Sequence, residues 1–189
     1  YRAVALASFR EGIEPHDEWA LGSLCKRIHI SFNKAGDIQR VYVNEADVTD
    51  EIRTPENSMR ASAVSAVASV RKAMVRLQQE IGNNGGLVAD GRDAGTVIFP
   101  QAAYKFFLDA GPAIRAQRRY KELLEKNIKV SYDDIFNDIQ NRDKNDSTRA
   151  HSPLKPAEDA VIVDTSEMSI EDVCTCILKH IQKKRSSLS

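Results

Sequence analysis

The sequence predicts an α/β protein in which helices cover a parallel sheet and a small antiparallel hairpin is inserted. Three short apolar runs suit buried strands, at residues 87–90 (LVAD), 104–109 (YKFFLD) and 160–164 (AVIVD). Stretches with helical periodicity separate these runs, and strands that alternate with helices form parallel sheets whose faces are covered. Two further β-type runs, at 29–32 and 38–43, are joined by a Gly-Asp turn and predict the hairpin.

Helical patterns account for the rest of the first half of the chain. Residues 1–13 carry apolar side chains among small and charged ones, and a second helix is expected over residues 18–28. The longest pattern runs from about Glu56 to Ile81. Pro55 suits the first turn of that helix, and Gly82 is a natural cap at its end.

Three more helices are expected in the second half. Pro112 opens the first of them. Ser131 begins the next, with Asp134 three residues on as in a capping box. The segment Ser169-Ile-Glu-Asp172 begins the last helix, which ends in Lys183-Lys-Arg185, where cations meet the negative end of the helix dipole.

Composition and charge argue against several classes of protein. Lys and Arg number 27 and so do Asp and Glu, and this zero net charge speaks against a nucleic-acid coat or an acidic tail. No run of 18 apolar residues exists, so no membrane span is expected. The three cysteines are expected to be reduced thiols in the cytoplasm, and the scattered histidines indicate no metal site.

One motif lies where open α/β sheets bind their ligands. Asp90-Gly-Arg-Asp93 follows the first predicted strand of the parallel sheet, and ligands bind beyond the carboxyl ends of such strands. Arg92 can fork onto a phosphate or a carboxylate, and Asp93 can accept a hydrogen bond from an amine. The alternative is a strand-end turn that holds a surface ion pair.

A second motif, RDKNDSTR, begins at Arg142. Arg142, Asp146 and Arg149 are spaced four and three residues apart, so one helical face would present all three. Two guanidiniums around one carboxylate can order a ribose and an anion together. A solvated, charged helix end is the alternative.

A third basic cluster, Arg115, Arg118 and Arg119, follows Pro112. A solvated face is the default interpretation, and a mobile lid whose arginines close on phosphates is the alternative. The sequence contains no GxxxxGK[ST], GxGxxG, GxSxG or HExxH motif. An arginine-rich anion site without a nucleophile suits phosphoryl transfer, although the usual phosphate cradle is missing.

Six blocks occur together in one order: IRTPE at 52–56, ADGRDAGTVIFP at 89–100, RRYKELLEK at 118–126, RDKNDSTR at 142–149, PLKPAEDA at 153–160 and VDTS at 163–166. Over essentially the whole chain, this set resembles the bacterial cytidylate kinases, nucleoside-monophosphate kinases of the P-loop type. The resemblance implies transfer of the γ-phosphoryl group of ATP, bound with Mg²⁺, to CMP or dCMP, giving CDP or dCDP in pyrimidine nucleotide metabolism. It also implies a cytoplasmic enzyme that works as a monomer and binds neither nucleic acid nor membranes.

The resemblance assigns roles to individual positions. The cytosine ring would be read by Ser62, Arg71, Asp93 and Arg149. The monophosphate would be held by Arg2, Arg92 and Arg142, and the ribose hydroxyl by Asp146. Arg118 and Arg119 fall in or beside the lid over the ATP phosphates. The expected catalytic residues are Arg92, Arg118 and Arg142, and no metal ligand is expected among these 189 residues.

Three regions follow from the same resemblance. They are a core at 1–27, 83–112 and 146–189, a CMP-binding domain with the hairpin insert at 28–82, and a lid with flanking helices at 113–145. One departure concerns Ala68, which stands where the family has a helix-breaking proline three residues before Arg71. Without a break from another cause, Ser62 and Arg71 lie on roughly opposite faces of the long helix.

The other departure is at the start of the chain. The family's first strand, its P-loop with the magnesium-binding hydroxyl, and the following helix all precede the position of Tyr1. That first strand is the centre of the family's sheet, between the strands here at 87–90 and 104–109. The 189 residues are therefore expected to be a partial, poorly folded and inactive piece of a cytidylate kinase. The alternatives are a truncated paralogue that binds CMP without catalysis and, less favoured, a nucleic-acid-binding protein.

Overall fold

The computed structural model describes residues 1–36, 38–148 and 152–186, and the chain divides into two units, Tyr1–Leu87 and Val88–Ser189. Helices and a parallel strand pair together confirm the mixed α/β class. The finer division into core, CMP-binding domain and lid stays a prediction. In the described ranges, no helix combines the length and the apolar character that a bilayer crossing requires.

The first unit is built from four helices and a three-stranded sheet. Its helices are α1 (Arg2–Arg10), α2 (Glu18–Arg27), α3 (Pro55–Ser65) and α4 (Ala68–Gly82). Its strands are β1 (Ile30–Ala35), β2 (Ile38–Val43) and β3 (Ala46–Asp47), all antiparallel and in the order β1-β2-β3. The predicted hairpin is thus confirmed, and its turn includes Gly36 at φ +62°. Asp37 lies outside the described residues.

The core of the first unit lies between pairs of helices. Helix α1 packs against α3, and α2 packs against α4. The small residues of α1 and α3 allow a close approach, and larger aliphatic side chains fill the remaining space. The largest fully buried side chains are Val4, Leu21, Leu24, Val48, Val64 and Val70.

The long helix predicted over residues 56–81 is broken between α3 and α4, although no proline lies there. Val67 is extended, with φ −75° and ψ 126°. In a continuous helix the N–H of Ser69 would donate to the carbonyl of Ser65. Instead the N–H of Ser69 donates to Oε1 of Glu18 at 3.2 Å, and the Ser65 carbonyl accepts Nη1 of Arg71 at 3.0 Å. Both groups therefore have tertiary partners, which compensates the break.

A carboxylate beside the hairpin should make the first unit sensitive to acid. Hydrogen bonds from Thr49 and Arg40 lower the pKa of Asp47 to about 2, against 3.8 for an unperturbed side chain. Because the pKa is lowered by folding, the stabilisation is full above pH 3.8 and is lost as the pH falls towards 2. Asp47→Asn should therefore lower the melting temperature at pH 7 and have less effect at pH 2.5. A difference between wild type and variant that is equal at both pH values would contradict this prediction.

The second unit contains a two-stranded parallel sheet and three helices. Strands β4 (Phe106–Asp109) and β5 (Val161–Asp164) pair from Phe106 opposite Val161 to Asp109 opposite Asp164. The helices are α5 (Pro112–Glu125), α6 (Tyr132–Thr148) and α7 (Ile170–Ser186), and a single π-helical turn covers Ala94–Ile98.

The predicted helix starts in this unit are largely confirmed. Pro112 occupies the first turn of α5. Ser169 and Asp172 form the predicted reciprocal cap of α7, because the N–H of each is bonded to the side chain of the other at 3.1 Å. Helix α6 begins one residue after Ser131 and continues to Thr148, which places Arg142 and Asp146 on regular helix.

Two predictions about the parallel sheet are wrong. Residues 87–90 form no strand, because no described strand hydrogen-bonds to them, and Val88 is 99% exposed. The faces of the remaining two strands are not fully covered, since Leu108 is 52% exposed and Ile162 is 64% exposed. A buried apolar strand needs a neighbour on each side, and the described residues of this unit supply only one pair.

Candidate functional site

In the second unit, one carboxylate lies close to two of the arginines that are predicted to bind the monophosphate. Asp146 Oδ2 lies 3.0 Å from Nε of Arg92 and 3.8 Å from Nε of Arg142. The Asp146 side chain is 10% exposed, whereas Arg92 and Arg142 are 38% and 50% exposed. The guanidiniums therefore keep a face towards solvent while the acid beneath them is buried. Such a pair can receive an anion because both forks are already oriented.

The local backbone explains how these groups meet. Arg142 and Asp146 are four residues apart on α6 and so share a face, as the sequence predicts. Arg92 comes from the DGRD turn, which the π-helical turn follows: the carbonyl of Asp93 accepts the N–H of Ile98 at 3.2 Å. The side chain of Asp93 is buried, at 4% exposure. Arg149, the third residue predicted on this face of α6, lies outside the described residues.

The three arginines of the basic cluster on α5, Arg115, Arg118 and Arg119, each contact a different part of this unit. Arg115 forms a two-pronged ion pair with Asp143 of α6. Arg119 pairs with Glu122 on its own helix at 2.7 Å. Arg115 is thus tied to α6 rather than simply solvated, and the lid that closes on phosphates stays a prediction.

Arg118 reaches the loop that follows β5. It donates to the carbonyl and to Oγ1 of Thr165 and, at 3.3 Å, to the carbonyl of Ser166. Thr165 is itself fixed, since its Oγ1 donates to the carbonyl of Asp109 at 2.9 Å. Arg118 thus joins α5 to the carboxyl ends of both strands. The structure brings Arg92, Arg142 and Asp146 together, while the contacts of Arg118 and Arg119 lie elsewhere in this unit.

In the first unit, the helix break orients Arg71. The side chain is buried, at 5% exposure, with its fork on the Ser65 carbonyl and its guanidinium 5.4 Å from the ring centre of Tyr1. Ser65 Oγ donates in turn to the carbonyl of Ser62 at 2.8 Å. The break therefore connects the neighbourhoods of Ser62 and Arg71, which a straight helix would separate.

Arg2 is held at its main chain by the Asn57 amide and at its guanidinium by the carbonyl of Ile52. Asn57 Nδ2 donates to the main-chain carbonyl of Arg2 and to the carbonyl of Ile52, both at 3.1 Å. The Ile52 carbonyl also accepts Nη1 of Arg2 at 3.2 Å. Asn57 is buried, at 3% exposure, and no sequence motif pointed to it. Its role is visible only once α1 and α3 are packed together.

The described residues form no binding site for Mg²⁺ from protein side chains. No group of three or more His, Cys, Asp or Glu side chains there could hold a metal ion. The buried acid of the site, Asp146, already forms ion pairs with Arg92 and Arg142. No residue of this chain is therefore assigned as a metal ligand.

Comparisons with known proteins agree with these motifs. A sequence model of the cytidylate kinase family matches residues 1–183. The chain is 43% identical to the cytidylate kinase of Vibrio vulnificus (strain CMCP6) over 184 residues, which cover 97% of this chain and 81% of that protein. It is 45% identical to the Bacillus pumilus cytidylate kinase over 178 residues, covering 94% and 79%, and 44% identical to that of Bacillus subtilis over 184 residues, covering 97% and 82%.

Proposed function

The chain belongs to the cytidylate kinase family, and on that premise we propose that it serves the transfer of the γ-phosphoryl group from ATP to CMP or dCMP. The products are CDP or dCDP. The single observation that carries the proposal is the burial of Asp146 beneath Arg92 and Arg142. Phosphoryl transfer depends on positioned substrates and stabilised charge rather than on a protein nucleophile, and oriented arginines supply both requirements.

The monophosphate and ribose are assigned to this arginine cluster. Arg92 and Arg142 can each present two parallel N–H groups to phosphate oxygens, and Asp146 can accept a ribose hydroxyl. The partial exposure of the Arg92 and Arg142 side chains supports this proposal, because a ligand can reach the guanidiniums without breaking a buried ion pair. Arg2, which is held in place by Asn57, is the phosphate-binding residue proposed in the first unit.

From the resemblance to the family, we propose that the cytosine ring is read by Ser62, Arg71, Asp93 and Arg149. A carboxylate accepts from the exocyclic amine of cytosine, and a guanidinium donates to its carbonyl and ring nitrogen. The burial of Arg71 and Asp93 supports base recognition, because hydrogen bonds discriminate best where water is excluded.

We further propose that the ATP phosphates, with their Mg²⁺, are held by a P-loop outside these 189 residues, with Arg118 and Arg119 beside them. The absence of GxxxxGK[ST] from the sequence, the unpaired segment 87–90 and the exposed faces of β4 and β5 support this proposal. Reading the DNA upstream of the Tyr1 codon tests it. An in-frame P-loop is the expected result, and a stop codon would favour the non-catalytic CMP-binding paralogue.

Nucleotide titration tests the substrate assignment directly. Calorimetry with the purified protein should show that CMP and dCMP bind. The affinity for UMP and AMP should be at least about tenfold lower, because one hydrogen bond to a charged group is lost. The 189 residues alone should show no CMP-dependent ATP consumption in a coupled assay. Tighter binding of AMP or UMP than of CMP would overturn the base assignment, and turnover by the 189 residues would overturn the external P-loop.

The cytoplasm is the proposed compartment, and a monomer is the proposed state. Cys25, Cys174 and Cys176 are free thiols, as expected in a reducing compartment. Burial raises the pKa of Cys25, which keeps that side chain a neutral thiol at physiological pH. The proposed contacts all come from residues of one chain. Size-exclusion chromatography with light scattering would test the monomer.

A further inference from the structure

A single guanidinium ties together three elements of the second unit. Nη1 and Nη2 of Arg115 donate to the two carboxylate oxygens of Asp143, at 2.9 and 2.5 Å. Nε of the same side chain donates to the carbonyl of Ala110, just beyond β4, at 2.8 Å. The hydrogen bonds to Asp143 raise the pKa of Arg115 further above its usual value, so the guanidinium stays charged. The carboxyl end of β4, helix α5 and helix α6 are thus joined at one point.

This ion pair lies beside the residues that form the arginine cluster. Asp143 follows Arg142 directly and precedes Asp146 by three residues on the same regular helix. Around the helix axis Asp143 lies about 100° from Arg142 and about 60° from Asp146, so it leaves α6 on the side next to the face that carries those two residues. Because α6 is rigid, fixing Asp143 from outside fixes the rotation of the helix at the level where those two side chains leave it.

The apolar contacts between α5 and α6 are concentrated nearer the start of α6. Ala116, Leu123 and Ile135 form a small buried core, with Phe136 and Ile139 packed against it. Ile139 is thus the last α6 residue in this cluster, one turn before Asp143. The second half of α6, which carries the arginine cluster, is held to α5 by the Arg115–Asp143 pair.

We propose that Arg115 and Asp143 are positioning residues for the monophosphate site, acting through Arg142 and Asp146 rather than touching the substrate. This inference rests on the proposed function, because it takes the arginine cluster as the phosphate and ribose site. It also gives Arg115 a different task from Arg118 and Arg119. Arg115 sets the orientation of α6, and the two-pronged geometry is what a lysine could not reproduce.

The test compares CMP with cytidine, which lacks the phosphate. Asp143→Asn keeps the size of the side chain and removes its charge, and Arg115→Lys keeps the charge and removes the fork. By calorimetry, each variant should bind CMP about tenfold more weakly than wild type, as for one charge-assisted hydrogen bond lost. The affinity for cytidine should fall by about threefold or less, so the ratio of the CMP affinity to the cytidine affinity falls.

The matched control is Ile135→Val, which loosens the α5–α6 core by a comparable amount without touching the ion pair. Its melting temperature should fall while its preference for CMP over cytidine stays at the wild-type value. An unchanged preference in Asp143→Asn and Arg115→Lys, or the same loss in Ile135→Val, would overturn the inference. If Asp143→Asn shows no cooperative melting, the CMP and cytidine affinities of Arg115→Lys decide whether the inference holds. Failure of the wild type to bind CMP would instead refute the proposed function.

Discussion

Replacing Asp146 by alanine is expected to weaken CMP binding by about 100-fold, which corresponds to two hydrogen bonds to charged groups. The carboxylate lies against Nε of both Arg92 and Arg142, so its removal releases both guanidiniums from their oriented positions. It also removes the proposed acceptor for the ribose hydroxyl. The loss in fold stability should be small, because both arginines are more than one-third exposed and can be hydrated.

Calorimetric titration with CMP, beside a thermal melt, measures both effects. Asp138→Ala is the matched control, because Asp138 is an exposed acid on the same helix two turns earlier. It should retain wild-type affinity. Wild-type affinity in Asp146→Ala would show that the arginines are oriented without their carboxylate, and the proposed site would have to be abandoned.

Replacing Arg71 by alanine is expected to reduce both CMP affinity and stability. The Ser65 carbonyl would lose its partner at the helix break, and the space beside Tyr1 would be left unfilled. A partly buried acceptor that loses its partner costs about 1 kcal/mol of unfolding free energy, and for a chain of this size that lowers the melting temperature by about 3 °C. CMP affinity should fall by about 100-fold, because the guanidinium that is proposed to contact the base is lost.

A second variant separates the two effects of Arg71. Arg71→Lys keeps a cation and most of the packing but loses the fork, so it should retain more stability than alanine and still bind CMP poorly. Arg76→Ala, on the same helix, is the control, because the Arg76 side chain is 82% exposed and forms a surface ion pair with Glu80 one turn on. Should Arg71→Lys bind CMP like wild type, the assignment of Arg71 to the base would be wrong.

Local pattern was enough to predict the parts of the fold that depend on near neighbours. The β1–β2 hairpin follows from alternation and a turn, and the cap of α7 follows from Ser169 and Asp172. The same holds for half of the site. The four-residue spacing of Arg142 and Asp146 predicted a shared helical face, and the DGRD motif supplied Arg92 to it.

Features that depend on distant partners could not be predicted in this way. Residues 87–90 have the composition of a strand, but a strand also requires a neighbour to pair with. Arg115 and Arg118 look alike in the sequence, yet one is held by Asp143 and the other by carbonyls after β5. Asn57 carries no motif, because its hydrogen bonds depend on how α1 and α3 are packed.

The break between α3 and α4 also bears on how this chain can diverge from its relatives. Ala68 is the first residue of α4, and the first helical position is where proline is tolerated best. Glu18 and Arg71 hold the ends of the broken helix whichever residue stands at 68. Alanine or proline at position 68 should therefore leave the break in place. The break depends instead on Glu18 and Arg71, because their contacts satisfy the N–H of Ser69 and the carbonyl of Ser65.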